Sequence, residues 1–264
     1  MAKAKGNTSM VKWDEELARE AAIAAGIEAG VGQGNFIGTA GGILKFRGGE
    51  VPSNTMDVVI IDHIIEHAYY TGQFDPTRPQ PPVCFAFGRV EDEMKLHEKS
   101  SEPQGGEGGA CVTCPMLEWG TSDRGRGKAC KAIRRLALIT EGDLDDVEKA
   151  EVAFLKIPVT SVKAWAGYVN QLHSTLKRPP FGVVTTITLV KDPKYQFRII
   201  ASLKEPITNS GLFEQLLKKK REVEKIIDFP YAPPIEQEAE ESRSAISKRG
   251  KQVPVRKRQV IKYR

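Results

Sequence analysis

At 264 residues, 40% hydrophobic and 28% charged, the chain is long enough to bury a sizeable core and too polar for a membrane bundle. Its net charge of +5 permits a polyanionic partner without requiring one. No apolar run reaches membrane-spanning length, and the basic start Met1 to Asn7 leads into no apolar stretch, so neither a membrane nor a secreted protein is expected.

Taken in order, Met1 to Val11 is polar and expected to lack structure. Trp13 to Ala29 is rich in Ala, Glu and Leu, with Asp14 near its start and Gly30 after its end, and reads as a helix. Gly30-Val31-Gly32-Gln33-Gly34 lacks the preceding strand, the glycine spacing and the lysine of a nucleotide loop, so it reads as a connector. Residues 1–34 thus form an arm and helix ahead of a core spanning 35–232.

The core opens with short strands at Phe36-Ile37-Gly38 and Ile43 to Arg47 around Gly41-Gly42. Met56 to Tyr70 is dominated by β-branched residues and reads as a strand or bent strand pair. Inside it, His63-Ile64-Ile65-Glu66-His67 matches an inverted zinc-peptidase pattern, which needs a helix that these residues argue against. The alternative is a strand with polar residues on an exposed face. Val83 to Phe87 is a further strand, and Lys95 to Gly109 is polar and glycine-rich, an exposed mobile insertion. Lys128 to Ile139 reads as a strand, basic at first and apolar later. Glu141 to Glu151 is an acidic turn, followed by a strand over Val152 to Ile157.

From Pro158 a helix is expected to about Leu176, capped by Thr160 or Ser161, with Val162, Trp165, Ala166, Val169 and Leu172 on its buried face. Phe181 to Val190 and Tyr195 to Leu203 are strands joined by a hairpin at Asp192-Pro193. Leu212 to Ile227 is a second helix. Residues 233–264 begin acidic and, from Ser242, carry only basic charge; such a segment buries no core and is expected to be disordered. The fold class is mainly β with flanking helices, α+β, and several short strands with an inserted helix suit a small OB-like barrel.

The only four cysteines, Cys84, Cys111, Cys114 and Cys130, lie in one stretch. A C-x2-C knuckle with two outlying cysteines supplies the tetrahedral thiolate set of one structural zinc ion, with no open position for catalysis. Two disulfides would need an oxidising compartment, and a redox C-x-x-C would leave Cys84 and Cys130 without a role. His97 is an alternative to Cys84 as fourth ligand. No arrangement of nucleophile, base and orienting group stands out, so a binding protein is expected and not an enzyme. Rings that stack on bases, Tyr69, Tyr70, Phe74, Phe85, Phe87 and Trp119, interleave with cations suited to phosphates, Arg47, Arg89, Lys128, Lys131, Arg134 and Arg135.

Tyr-Tyr-x-Gly-x-Phe-Asp-Pro (Tyr69 to Pro76), Pro-Pro-x-Cys (Pro81 to Cys84), Cys-x-x-Cys-Pro (Cys111 to Pro115), Trp119-Gly120 and Gly-x-Gly-Lys-Ala-Cys-Lys (Gly125 to Lys131) come in that order. With Ile157 to Lys163 and the strand Val183 to Leu189, they resemble the zinc-containing, helix-destabilising single-stranded DNA-binding proteins of tailed phages, over roughly residues 35–205. The resemblance implies an OB-like core with the zinc insertion at 84–130, the four cysteines as ligands, and protection of single-stranded DNA in replication and recombination. It also implies replication or recombination proteins as partners and the cytoplasm of an infected bacterium as the setting. Proteins of that kind often end in an acidic tail, whereas this chain ends in a basic one. The rival reading is a zinc ribbon that docks on a polymerase or other replication or transcription machinery.

Overall fold

The β-branched run after Pro52 forms one strand of 15 residues, Thr55–Tyr69, in the computed structural model of the chain. The structure describes residues 35–72, 80–123 and 126–231, together with Trp13, Glu16, Leu17 and Arg19. Those four isolated residues are helical; the rest of the expected helix to Ala29, the Gly30 to Gly34 connector and the basic tail lie outside the described residues.

The strands are β1 (Lys45–Phe46), β2 (Gly49–Glu50), β3 (Thr55–Tyr69), β4 (Cys84–Gly88), β5 (Lys131–Thr140), β6 (Ala153–Ile157), β7 (Val183–Asp192) and β8 (Gln196–Pro206). Two helices accompany them, α1 (Val159–Gln171) and α2 (Ser210–Val223). β1 and β2 form a small hairpin whose turn residues Arg47 and Gly48 both have positive φ, 48° and 78°. The large sheet runs β6-β5-β3-β7-β8, with β4 also paired to β3. The pairings β3–β4, β3–β7 and β7–β8 are antiparallel. The architecture is therefore mainly β with few helices. Among the described residues β6 and β8 end the strand order, so the expected closed barrel is not formed.

The chain divides into two compact units. Of the described residues, the first takes those up to Ile61, then Leu136–Lys156 and Gly167–Lys219. Here Thr55 to Val58 face Thr188 to Thr185, and β7 pairs with β8 from Val183↔Pro206 to Asp192↔Gln196. The hairpin turn is set by Asp192, whose Oδ1 accepts hydrogen bonds from the backbone N–H groups of Lys194 (2.9 Å) and Tyr195 (3.0 Å). Val58, Val59, Ile60, Leu136, Leu138, Ile139, Leu155, Val183, Ile187 and Leu216 are buried in its core. Gly42 has φ +73° and lies against the Phe197 ring; a Cβ there would come within 1.8 Å of it.

The second unit takes Asp62–Arg135, Ile157–Ala166 and the residues from Lys220. The later half of β3 pairs with β4, from Ile65↔Gly88 to Tyr69↔Cys84. The Lys95 to Gly109 segment is not the free insertion its composition predicts. It folds back on β4 and the residue before it, the His97 N–H donating to Phe85 O (2.8 Å) and the Glu102 N–H to Val83 O (2.9 Å), and it closes on itself where the Leu96 N–H meets Gly109 O (2.9 Å). Helix α1 spans both units and ends in a π-helical turn, Leu172–Leu176. Its buried positions are Ser161, Trp165, Tyr168 and Leu172, whereas Ala166 is exposed. Tyr168, not Ala166, falls in line with Trp165 and Leu172 at helical spacing, and its buried hydroxyl meets Thr185 Oγ1 at 2.6 Å. Helix α2 starts at Ser210, and the Asn209 side chain caps the Leu212 N–H at 3.1 Å.

Candidate functional site

Cys84 begins β4, Cys111 and Cys114 flank a tight turn, and Cys130 directly precedes β5. The Cys114 N–H bonds to Cys111 O (3.0 Å), and Pro115 opens the next 3-10 turn. The segment then loops out and returns. The Gly120 N–H meets Gly127 O (2.9 Å), Thr121 Oγ1 accepts the Ala129 N–H (2.9 Å), and the Cys130 N–H meets Met116 O (2.9 Å). These bonds bring the four residues together: all four thiols line one cavity of about 10 Å³, room for a single atom. The Gln104 peptide serves two of them, its N–H donating to Cys84 Sγ (3.4 Å) and its carbonyl accepting from the Cys114 thiol (3.5 Å).

Burial, with the other thiols close by, pushes the Cys111 thiol up to about 11 and Cys130 up to about 12. Among the described residues no three or more His, Cys, Asp or Glu side chains are arranged to hold a metal ion as they stand. The donor set fits a soft or borderline cation in number, softness and enclosure, and the cavity admits nothing larger. His97, the alternative ligand, stacks its ring on Phe85 instead, with centroids 5.0 Å apart.

The His-x-x-Glu-His motif lies on β3, so His63 and His67 share one face and Glu66 the other. That arrangement does not make the helical peptidase site. Nor is the motif an exposed polar face. Glu66 and His67 are buried, and His63 packs edge-on against Trp165, ring centroids 5.5 Å apart.

On the Glu66 face sits a buried cluster. Arg135 Nε donates to Glu66 Oε2 at 2.5 Å, with the two side chains 1% and 0% exposed. Its Nη1 donates to the carbonyls of Ile227 (3.1 Å) and Phe229 (2.8 Å). The guanidinium lies 4.3 Å from the Phe87 ring centre and 4.5 Å from that of Phe229. The Tyr231 hydroxyl donates to Glu66 Oε1, and burial raises its pKa well above the ordinary tyrosine range.

Several expected nucleic-acid contacts are therefore corrected. Arg135 is enclosed and cannot reach a phosphate. Phe85 is buried, and Phe87 packs against Arg135 and Tyr231. Arg89 is held by Asp62, with bonds of 3.0 and 2.5 Å. Arg47 lies in the first unit, 3.6 Å from Asp143 and 3.9 Å from Glu151. Tyr69 and Arg134 are half-buried. Phe74 falls outside the described residues. The exposed members are Trp119 (80%), Tyr70 (41%), Lys128 and Lys131, all in the second unit.

Two features escape sequence reasoning. Tyr231 and Phe229 look like the end of the compact region, yet they complete the Arg135 cluster. His67 is buried to 1%, and neither ring nitrogen has a hydrogen-bond partner among the described residues. It borders the thiol cavity and also a second, open cavity of about 200 Å³. Its Nε2 is 3.6 Å from Glu91 Oε1, beyond hydrogen-bond range. No helix among the described residues is long and apolar enough to cross a membrane. Comparison with protein-family models, with curated proteins and with solved structures finds no match to this chain.

Proposed function

We propose that the protein binds and protects unpaired DNA strands in phage DNA replication and recombination, and that one structural zinc ion braces the binding unit. The supporting observation is the gathering of all four cysteines around one atom-sized cavity, in the unit that exposes Trp119, Tyr70, Lys128 and Lys131. Trp119 follows Leu117, a lining residue, by two positions, and Lys128 and Lys131 flank Cys130.

Cys84, Cys111, Cys114 and Cys130 would hold the ion as thiolates. A divalent cation would favour the thiolate form that burial opposes at Cys111 and Cys130. Bracing matters because the loop from Met116 to Cys130 carries few apolar anchors of its own. Exposed rings stack on bases for about 1–3 kcal/mol each, and cations track phosphates with a salt-sensitive contribution. On this reading the antiparallel sheet is an OB-like framework opened at one seam, and the role is binding without a reaction.

The test pairs metal analysis with anisotropy titrations of single-stranded and duplex oligonucleotides across a salt series. We expect about one zinc per chain, loss of zinc in Cys111→Ser, and a wide preference for the single strand that declines steeply with salt. Zinc-free protein with four titratable thiols, or equal weak binding to both DNA forms, overturns the proposal. The second outcome favours a protein-docking role.

A further inference from the structure

We infer that Gly106 is a positioning residue of the ion site: only without a side chain there does the Lys95 to Gly109 segment lie against the C-x2-C turn and hold the Gln104 N–H on Cys84. The inference rests on the structural-zinc reading above.

The four cysteines are placed by different means. Cys111 and Cys114 share one turn, closed by the bond from the Cys114 N–H to Cys111 O at 3.0 Å. Cys84 and Cys130 lie outside that turn, and each meets a backbone donor from elsewhere. The Gln104 N–H reaches Cys84 Sγ at 3.4 Å, and the Ala68 N–H bonds to Cys130. Such donors favour a thiolate and fix the direction of its lone pairs. The Ala68 donor is anchored in strand β3. The Gln104 donor sits on an irregular segment, so its place depends on what that segment packs against.

The packing partner is the C-x2-C turn itself. Gly106 has a φ of −70°, ordinary for any residue, so conformational freedom is not what glycine supplies here. Close approach is. A Cβ at Gly106 would lie 2.7 Å from the carbonyl carbon and oxygen of Thr113, and 2.1 Å from its Oγ1. Thr113 stands between the two cysteines of the turn, and its backbone cannot step aside without carrying them along. Nor can Gly106 easily retreat, because its N–H is tied to Ala110 O at 2.9 Å, directly before Cys111. Gln104 and Gly105 line the thiol cavity, so a displaced turn moves the cavity wall. The Gln104 carbonyl belongs to the next peptide unit and accepts from the Cys114 thiol at 3.5 Å. That bond is given up when the sulfur takes the ion, so of the two Gln104 contacts only the N–H carries over.

The experiment uses the full-length protein, nitrogen-labelled and loaded with an NMR-active cadmium isotope in place of zinc. A coupling between an amide proton and cadmium is seen where an N–H group bonds to a sulfur that holds the ion. Beyond the C-x2-C turn we expect such couplings at Gln104 and Ala68. In Gly106→Ala the Gln104 coupling should vanish while that of Ala68 persists, a pattern that general destabilisation does not produce. Zinc affinity, read by chelator competition, should fall about 10–100-fold in Gly106→Ala and stay within about twofold in Glu107→Ala, which alters an exposed side chain of the same turn. A Gln104 coupling that survives in Gly106→Ala, or an affinity left unchanged there, overturns the inference. If Gly106→Ala does not fold, the unaltered protein decides: cadmium bound with no Gln104 coupling overturns the inference and leaves the zinc reading standing. Failure to bind either zinc or cadmium removes both.

Discussion

Replacing Arg135 by Met separates a structural role for this residue from a DNA-binding one. In the structure its guanidinium is 1% exposed, pairs with a fully buried Glu66 at 2.5 Å, and donates to two carbonyls at 3.1 and 2.8 Å. Removing one partner of a buried ion pair costs about 3–5 kcal/mol, because the remaining charge is stranded. The carbonyls of Ile227 and Phe229 lose this donor as well, at about 1–3 kcal/mol each where nothing replaces it, and these costs overlap. We expect a net loss of about 4–6 kcal/mol, a large share of a typical stability of about 5–15 kcal/mol. For a chain of this size that lowers the melting temperature by roughly 10–20 °C. Urea unfolding followed by tryptophan fluorescence measures it, with an unchanged m-value as the control. The double variant Arg135→Met/Glu66→Leu should recover part of the loss, since an apolar pair leaves no stranded charge. A loss under about 1 kcal/mol, with a salt slope of DNA binding reduced by about one, would refute the reasoning and return Arg135 to the phosphate contacts.

Among the described residues Tyr231 makes the last of the contacts that anchor the C-terminal segment; a chain stopped after Tyr231 should melt within a few degrees of the full protein, whereas one stopped before Ile227 should be strongly destabilised. The shorter of these losses, residues 232–264, should still weaken DNA binding at low salt, because the tail from Ser242 is basic throughout. Trp119→Ala should weaken single-strand binding by about 1–3 kcal/mol and leave the melting temperature unchanged, since the ring is exposed. Trp165→Ala should do the opposite, costing about 3–5 kcal/mol of stability from its buried site. Burial holds the His63 and His67 imidazoles below their ordinary pKa of 6.5, so the unfolded chain binds these protons more readily than the folded one. Their contribution is intact above about pH 6.5 and declines as pH falls below it. A melting temperature that is flat from pH 7 to 5 would contradict this, and His63→Leu should flatten part of the slope.

Much of the secondary structure is legible in the residues themselves. The β-branched run of β3, the Asp192-Pro193 turn and the helical spacing that buries Trp165 and Leu172 each carry a local cause. The meeting of the cysteines around one cavity is legible as well, because the four fall in one stretch, two of them a single turn apart. What local rules miss is partnership at a distance. Arg135 reads as a surface cation because its partner lies 69 residues away, on another strand. Glu66 and His67 lie on opposite faces of β3 and both are buried, which strand alternation does not foretell, because it cannot show that both faces are covered. The Lys95 to Gly109 segment reads as a free loop because its anchors are backbone bonds to β4 and its approach, to which side-chain composition is blind. Barrel closure depends on register and shear, which no single stretch encodes.

The side chains of Thr55 and Thr188 meet although the two residues stand 133 positions apart in the chain, so β3 stays without this neighbour until most of the protein has left the ribosome. The cysteine segment emerges well before that. The nascent polypeptide can therefore assemble its thiol cluster while β7 and β8 are still to come. A long apolar strand lies open in the interval, and that is the period in which a chaperone has most to do.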